Sequence, residues 1–246
     1  MLAMEFGRLL MECGASGEIV DGVICAAARG LGADRVDLRV GYASLEITIG
    51  IGGEGITRMR KVGAIGVNHR LDHEIRRLGG HVQSGTLGAG AARAELERLV
   101  RTTPRYPGWA VDLAVGVACA AFGRLLGVDW PGAGPVFAAA ALGQAGRRSL
   151  AAHRVNVFIA ATLVAFGASA VSGVCARWLG SHTVAVAMSA AVLLLVPGVP
   201  SLNAQNDILE GRPTLGSARA VWVAVMLIFV TVGVWLGQFL LGEAHP

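Results

Sequence analysis

Residues 106–246 carry only seven basic and five acidic side chains, whereas residues 1–105 hold 14 of the 21 Lys and Arg and 12 of the 17 Asp and Glu. Soluble domains carry about 25% charged residues; this chain averages 15%. The shortfall lies in the second part. That split describes two solvents, water for the first part and hydrocarbon for the second. It predicts an α-helical membrane protein of about five transmembrane helices with an N-terminal α+β cytosolic domain, divided as residues 1–105 and 106–246.

Five apolar segments carry the second part: 109–128, 131–147, 155–176, 183–203 and 218–241. Each is near the ~20 residues that cross about 30 Å of hydrocarbon. The 131–147 segment is the shortest and is rich in Gly and Ala. Tyr106 and Trp109 suit the headgroup level, with Arg105 on the wet side. Small residues (Gly116, Gly123, Gly143, Gly167, Ser169, Gly173) let helices approach closely, as in a packed bundle. Loop charges set the orientation. Arg147, Arg148 and Arg154 fall in a 147–154 loop, Arg212 in a 204–217 loop with Arg219 just beyond, and Arg101 and Arg105 precede the first span. The opposite side offers Arg177 and, at the end of span one, Arg124. By the positive-inside rule the N-terminus is cytoplasmic, and five crossings put the C-terminus outside. The start agrees: Met1 to Leu10 contains Glu5 and Arg8 and lacks a basic n-region, a clean apolar core and a cleavage site.

Periodicity organises the first part. Met4 to Cys13 forms an apolar stretch set with Glu5, Arg8 and Glu12, and Gly14 ends it. Ser16 caps a second helix, in which Ile19, Val20, Val23, Ile24 and Ala27 recur at helical spacing until Gly30 and Gly32. From Arg35 the period becomes two. Val36, Leu38 and Val40, then Leu45, Ile47, Ile49 and Ile51, alternate with polar residues and predict two strands. Gly52, Gly53 and Gly55 mark a turn into a third strand, 56–62. Leu71, Ile75 and Leu78 mark a short helix, and Thr86 caps another running to about Thr103.

Several chemistries find no support in the pattern. The four cysteines (Cys13, Cys25, Cys119, Cys175) make no CxxC and no zinc spacing, and read as buried or membrane-embedded thiols. His69 and His73 share a helix face with Asp72 and Glu74 nearby, but with no HExxH and no assured third ligand they read as a solvated face rather than a metal site. Gly50 to Gly55 lacks the Gly-Lys-Ser/Thr of a phosphate loop. No Ser/His/Asp order compels a hydrolase, no cofactor motif is present, and no Lys/Arg stripe with interleaved aromatics suits nucleic acid. Two charged residues sit in span one: Asp112 near its cytosolic end and Arg124 near the far interface. Each reads as an interfacial side chain or as the lining of a polar path.

The most informative segment is Leu193-Leu194-Leu195-Val196-Pro197-Gly198-Val199-Pro200-Ser201-Leu202-Asn203. The apolar run before it, Val184 to Val196, covers only about 20 Å as a helix, too little to cross alone. Pro197 and Pro200 forbid a regular helix at that depth. Broken backbone within a membrane is tolerated where it is buried in protein or lines a cavity. Ser201 can cap a half-helix whose N–H groups face an anionic substrate. The simpler reading ends span four at Pro197-Gly198. Asn203, Gln205, Asn206 and Asp207 follow, either as contacts for substrate or proton or as a plain cytosolic loop. The candidate pathway residues are therefore Pro197, Gly198, Pro200, Ser201, Asn203 and Asp207. Asn203 would donate to a carboxylate, and Asp207 would gate or relay a proton at the cytosolic mouth.

These residues resemble the threonine/serine exporter (ThrE-like) family, and within it the short YjjP-type branch found in two-component dicarboxylate exporters. The likeness covers nearly the whole chain. It is carried by Cys13-Gly14-Ala15 followed by a helix into Leu31-Gly32, by Arg60-Lys61 ahead of Val67-Asn68, by Arg105-Tyr106-Pro107 and Trp109, and most strongly by Ala190 to Gly211 with Pro197-Gly198, Pro200, Asn203 and Asp207 in register. The resemblance implies a cytosolic N-terminal domain, five spans, and export driven by the membrane potential or proton gradient across a bacterial inner membrane. Full-length family members carry a second, smaller set of spans. The implied partner is a separate YjjB-like small membrane subunit, in a higher-order symmetric oligomer that handles a small anionic or zwitterionic substrate, succinate-like or threonine/serine-like. Asp112 departs from the apolar residue that the resemblance leads one to expect. A non-enzyme is the first reading; a membrane-anchored hydrolase-like enzyme, or a non-transporting sensor or assembly subunit, is the alternative.

Overall fold

The computed structural model describes residues 1–51, 54–104 and 106–243. The turn expected at Gly52 and Gly53, the interfacial role of Arg105 and the C-terminal Pro246 lie outside them. The chain divides into two compact units, one of residues 1–104 and 198–222, the other of 105–197 and 223–246.

The first unit opens with α1 (Leu2–Glu12) and α2 (Gly17–Gly30). Their apolar spacing is helical, and Phe6, Leu10, Val20 and Ile24 are fully buried. Full burial of such side chains stabilises by about 1.5–3 kcal/mol each. Gly14 turns the chain between them at φ +89°, a conformation that a β-carbon disfavours. The alternating segments form an antiparallel sheet in the order β1 (Arg35–Val40), β2 (Ser44–Ile51), β3 (Glu54–Lys61), with Leu38 opposite Ile47 and Ile47 opposite Arg58. Leu45 and Ile47 point into the helical core. Two more helices, α3 (His69–Gln83) and α4 (Ala89–Thr102), bury Leu71, Ile75 and Leu78, then Ala92, Leu96 and Leu99. Asn68 caps α3 by accepting from the Leu71 N–H at 3.2 Å. Thr86 does not cap α4 as expected. Its hydroxyl donates to the His81 carbonyl at 2.9 Å, which closes α3, and Gly88 stands at the α4 N-terminus.

The second unit is helical: α5 (Gly108–Leu125), α6 (Trp130–Ala152), α7 (Val157–Trp178), α8 (Val184–Ala190) with a 3-10 turn at Leu193–Leu195, and the C-terminal part of α10 (Pro213–Leu240). The remaining helix, α9 (Gly198–Leu209), and the start of α10 belong to the first unit. Among the described residues α5, α7 and α10 are long and apolar enough to cross a membrane, and α8 with α9 makes a fourth if the pair is one broken span. The five expected segments therefore resolve into three or four. The exception is α6, which is 23 residues long but less apolar. It runs past the expected end at 147, so Arg147 and Arg148 belong to its last turns rather than to a loop. The expected 204–217 loop likewise shrinks to Glu210–Arg212 between α9 and α10, because Gly211 makes the turn alone at φ +79°.

Asp112, Arg124 and Asp129 of the second unit are each held by partners. Asp112 on α5 accepts from Arg148 on α6, from Nε at 3.0 Å and also from Nη2. The interfacial and polar-path readings of Asp112 both missed this partner. Arg124 donates to the Val128 carbonyl and lies 4.3 Å over the Trp130 ring. Asp129 caps α6 through the Gly132 N–H at 2.9 Å, and also accepts from the Ser181 hydroxyl and the His182 N–H, both at 2.7 Å. These bonds, the Ser181 hydroxyl first, pull the Asp129 carboxyl from an ordinary 3.8 down to about 2. A carboxyl depressed on folding stabilises the fold above its unfolded value and loses that contribution as pH falls through its folded value. The network is therefore expected to hold above pH 3.8 and to be lost toward pH 2. Asp129→Asn is expected to flatten that acid dependence, as read from thermal unfolding of the full chain in detergent between about pH 2 and pH 5.

Candidate functional site

Among the described residues the most enclosed charges lie in the first unit, where α9 and the start of α10 meet the corner between α1 and α2. Two helix ends turn toward each other at that corner. The C-terminal end of α1 presents carbonyls and the N-terminal end of α2 presents N–H groups, so the corner carries partial negative and positive charge side by side. Ser16 makes no side-chain cap to α2. Asp207 of α9 takes the cap's place, accepting from the Gly17 N–H at 2.8 Å. Arg219 of α10 serves the turn between the helices, donating from Nη2 to the Ala15 carbonyl at 3.0 Å and lying 3.6 Å from the Met11 sulfur of α1. The two side chains then meet each other at 2.6 Å, Arg219 Nη1 to Asp207 Oδ2. Asp207 thus sits at the α2 N-terminus, where the helix dipole favours a negative charge.

Burial makes this arrangement consequential. Asp207 is 0% exposed and Arg219 4%. An ion pair taken out of water costs several kcal/mol per ion before its attraction is counted, and is sustained only where further hydrogen bonds satisfy both groups. Here the Gly17 N–H and the Ala15 carbonyl supply them. Gly17 is required by contact: a β-carbon there would lie 2.8 Å from Asp207 Oδ1 and 3.0 Å from Leu215. Two more bonds brace the junction. Asn203, one turn before Asp207 on the same face, donates to the Gly14 carbonyl at 2.8 Å, and Arg212 approaches Asp21 at 3.3 Å.

The sequence-derived candidates are thus dispersed in role. Pro197 immediately precedes α9, Gly198 begins it, and Pro200 and Ser201 lie in its first turn. Ser201 is not a helix cap, because α9 starts three residues earlier; proline fits a first helical turn, where its missing N–H has no partner to lose. Asn203 and Asp207 come together on the α1–α2 corner, inside α9 rather than in a cytosolic loop. The sequence reading missed Arg219 as a partner and counted it only as an orientation signal. A lone arginine in the first turns of the most apolar helix, twelve residues after a lone aspartate, was the available clue. Chemically the corner is a lock without a nucleophile, and no group of three His, Cys, Asp or Glu side chains able to hold a metal ion occurs among the described residues. In α3, Asp72 pairs with Arg76 and Glu74 with Arg77, while His69 and His73 are exposed.

The family described as "Putative threonine/serine exporter" matches residues 1–241. The chain belongs to that family. It is similar to the "Probable succinate transporter subunit YjjP" of Escherichia coli (strain K12), 31% identical over 237 residues that cover 95% of this chain and 91% of the relative. The protein of the same name from Klebsiella aerogenes is 28% identical over 242 residues, covering 98% and 93%. No solved structure matches at a significant level. Membership and the apolar helices together make this a membrane protein that serves small-metabolite export.

Asp207→Asn leaves the Arg219 guanidinium buried without a counter-charge, and is expected to cost about 3–5 kcal/mol. Removing both charges, as Asp207→Leu with Arg219→Met, is expected to recover part of the loss. Size-exclusion profiles of heated, detergent-solubilised protein check this. Equal losses in the single and double variants would mean that the pair is not what the junction depends on.

Proposed function

We propose that this chain is one subunit of a secondary exporter that moves small carboxylate-bearing metabolites, succinate-like dicarboxylates or threonine and serine, out of a bacterial cytoplasm. It works with a separate YjjB-like small membrane subunit in a symmetric oligomer of the inner membrane. The relatives' names, which call them subunits of a succinate transporter, support the partner and the substrate class. The N-terminus lies in the cytoplasm and the C-terminus outside, with α6 as the fifth crossing despite its lower apolarity. The family is one of exporters, which argues against the hydrolase-like alternative.

The observation that carries the mechanism is the break at Val196-Pro197, which separates an apolar helical run from α9, a helix held by a buried ion pair. The first turn of α9 meets the substrate carboxylate, where the helix dipole favours negative charge. Gly198 lets it approach: a β-carbon there would meet nothing within 4 Å. Pro197 and Pro200 keep the turn from joining the preceding helix. Asn203 and Asp207 act by positioning α9, since the Asn203 amide donates to Gly14 and Asp207 is enclosed with Arg219. A second reading, that the break only ends span four, is favoured by the grouping of residues 198–222 with residues 1–104.

Export of preloaded radiolabelled succinate and threonine, from cells with and without this chain and its neighbouring subunit, tests the function. Efflux is expected only when both are present. Gly198→Leu separates the two readings because its β-carbon meets nothing within 4 Å, and expression level with thermal unfolding checks that the fold is kept. A loss of one to two orders of magnitude in transport is expected if carboxylate meets this turn, from a charge-assisted contact of about 1.5–3 kcal/mol. Wild-type export by well-expressed Gly198→Leu would leave the break as a helix end.

A further inference from the structure

The first unit also holds a half-open cleft of about 800 Å³, bounded by α1, the end of α2, β3 and α4. None of its lining residues belongs to the corner or to the broken span. The charged lining is Arg8, Arg60, Arg93 and Arg101 against Glu5 and Glu97. Both carboxylates are already held. Glu5 is bound by Arg8 and lies 3.0 Å from Arg60, and Glu97 lies 3.2 Å from Arg93. The Arg8 hydrogen bond, aided by the charges of Arg8, Arg60 and Arg93, lowers the Glu5 pKa and keeps it ionised. Arginine stays protonated throughout. Arg8 also pairs with Glu12 at 2.7 Å, so the lining arginines and the carboxylates that hold them leave one positive charge in excess, and Arg101 has no ion-pair partner among the described residues. The N-terminus of α4 adds positive potential at the other end of the cleft, about 16 Å along the helix from Arg101. Ala89 and Gly90 line the cleft there, and no side chain caps the helix. The rest of the wall is apolar, with Leu2, Leu9, Leu31, Leu96 and Val100.

The combination of the Arg93 and Arg101 guanidinium groups with an aliphatic wall selects a molecule with an anionic head and an apolar body. The volume lies within the roughly 300–1,000 Å³ of small-molecule sites. A four-carbon dicarboxylate has no apolar body to set against the leucines, so the cleft does not suit the exported substrate class. We propose that it binds an amphipathic anion, a carboxylate or phosphate-ester head on an acyl chain, as a ligand site separate from the export path. The Arg101 and Arg93 side of α4 takes the head, and Leu9, Leu96 and Val100 take the chain.

Decanoate bearing a photoreactive diazirine near its terminal methyl is the probe, applied to the full chain in amphipol with peptide mapping of the crosslinks. Labelling is expected on the peptides containing residues 1–12 and 89–101. Unlabelled decanoate should compete, and equimolar succinate should not. Arg101→Gln and Val100→Asn change exposed side chains, so the fold is spared. Arg101→Gln is expected to cut labelling about tenfold through the lost charge-assisted bond, and Val100→Asn to weaken it through the lost apolar contact. The head can come from a soluble acyl carboxylate or from a phospholipid. Weaker labelling in phosphatidylglycerol nanodiscs than in phosphatidylcholine nanodiscs assigns the site to an anionic lipid, and equal labelling assigns it to a soluble acyl anion. Labelling confined to the apolar helices, or unchanged in both variants, overturns the proposal, as does succinate competing as well as decanoate. The readout is binding, so it stands or falls independently of transport.

Discussion

The Asp207–Arg219 pair is the constraint on which the arrangement of the first unit turns. An exposed pair at the same 2.6 Å separation would contribute about 0–1 kcal/mol. Enclosed, it demands partners on every side, and those partners are backbone groups of the α1–α2 corner rather than adaptable side chains. The geometry is therefore all-or-none. Tilting α9 withdraws the carboxylate from the Gly17 N–H. Sliding α10 withdraws the guanidinium from the Ala15 carbonyl. Either movement strands a charge in a dry site, at several kcal/mol. The helix that follows the Val196-Pro197 break is thus tied to segments about 190 residues earlier in the chain.

The same economy governs the remaining acidic residues beyond position 105. Asp112 has Arg148, Glu210 has Arg212, Glu243 has Arg177, and Asp129 has hydroxyl and backbone donors instead of a cation. Where apolar surface dominates, an unmatched carboxylate is costly to keep, and Asp112, Asp129 and Glu243 each mark a contact between segments. Asp112 joins α5 to α6, and Asp129 joins the α5–α6 turn to the residues before α8. Glu243 joins the end of α10 to α7. These polar clips supply direction that apolar packing alone does not, because leucine-to-lipid and leucine-to-leucine contacts differ little in energy.

Local features were legible in the sequence. The helical spacing of Val20, Ile24 and Ala27, the alternation through Leu45 and Ile47, and the stop at Gly14 each rest on a short-range rule, and each appears in the fold. Pro197 was correctly placed at an interruption. The failures involve tertiary partners. Nothing near Asp207 announces that its acceptor capacity is taken by a backbone N–H from residue 17 and a guanidinium twelve residues on. Ser201 looked like a cap because it follows a proline, yet the first helical turn tolerates proline, so the helix begins at Gly198. Arg147 and Arg148 looked like a loop because charge usually marks one. Helix α6 continues through them, and Arg148 reaches Asp112 from its last turns.

One helix connects the features of the first unit. Its N-terminal half, with Leu2, Glu5, Arg8 and Leu9, lines the arginine-rich cleft, its last turn brings the Met11 sulfur to 3.6 Å from Arg219, and the turn that follows it carries the Ala15 carbonyl. Eleven helical residues span about 16 Å and move nearly as a rigid rod. Its middle is locked in the core by Phe6 and Leu10, both fully buried, so it cannot bend to relieve a displacement at one end. The Arg8–Glu5 and Arg8–Glu12 bonds run along the same rod and link the cleft wall to the last turn. An axial shift would move Met11, whose sulfur lies 3.6 Å from Arg219, with the rod. The cleft and the lock around Asp207 are therefore joined through a stiff element. The position of α9 depends on where α1 sits, whether a substrate carboxylate or an acyl anion is the ligand in question.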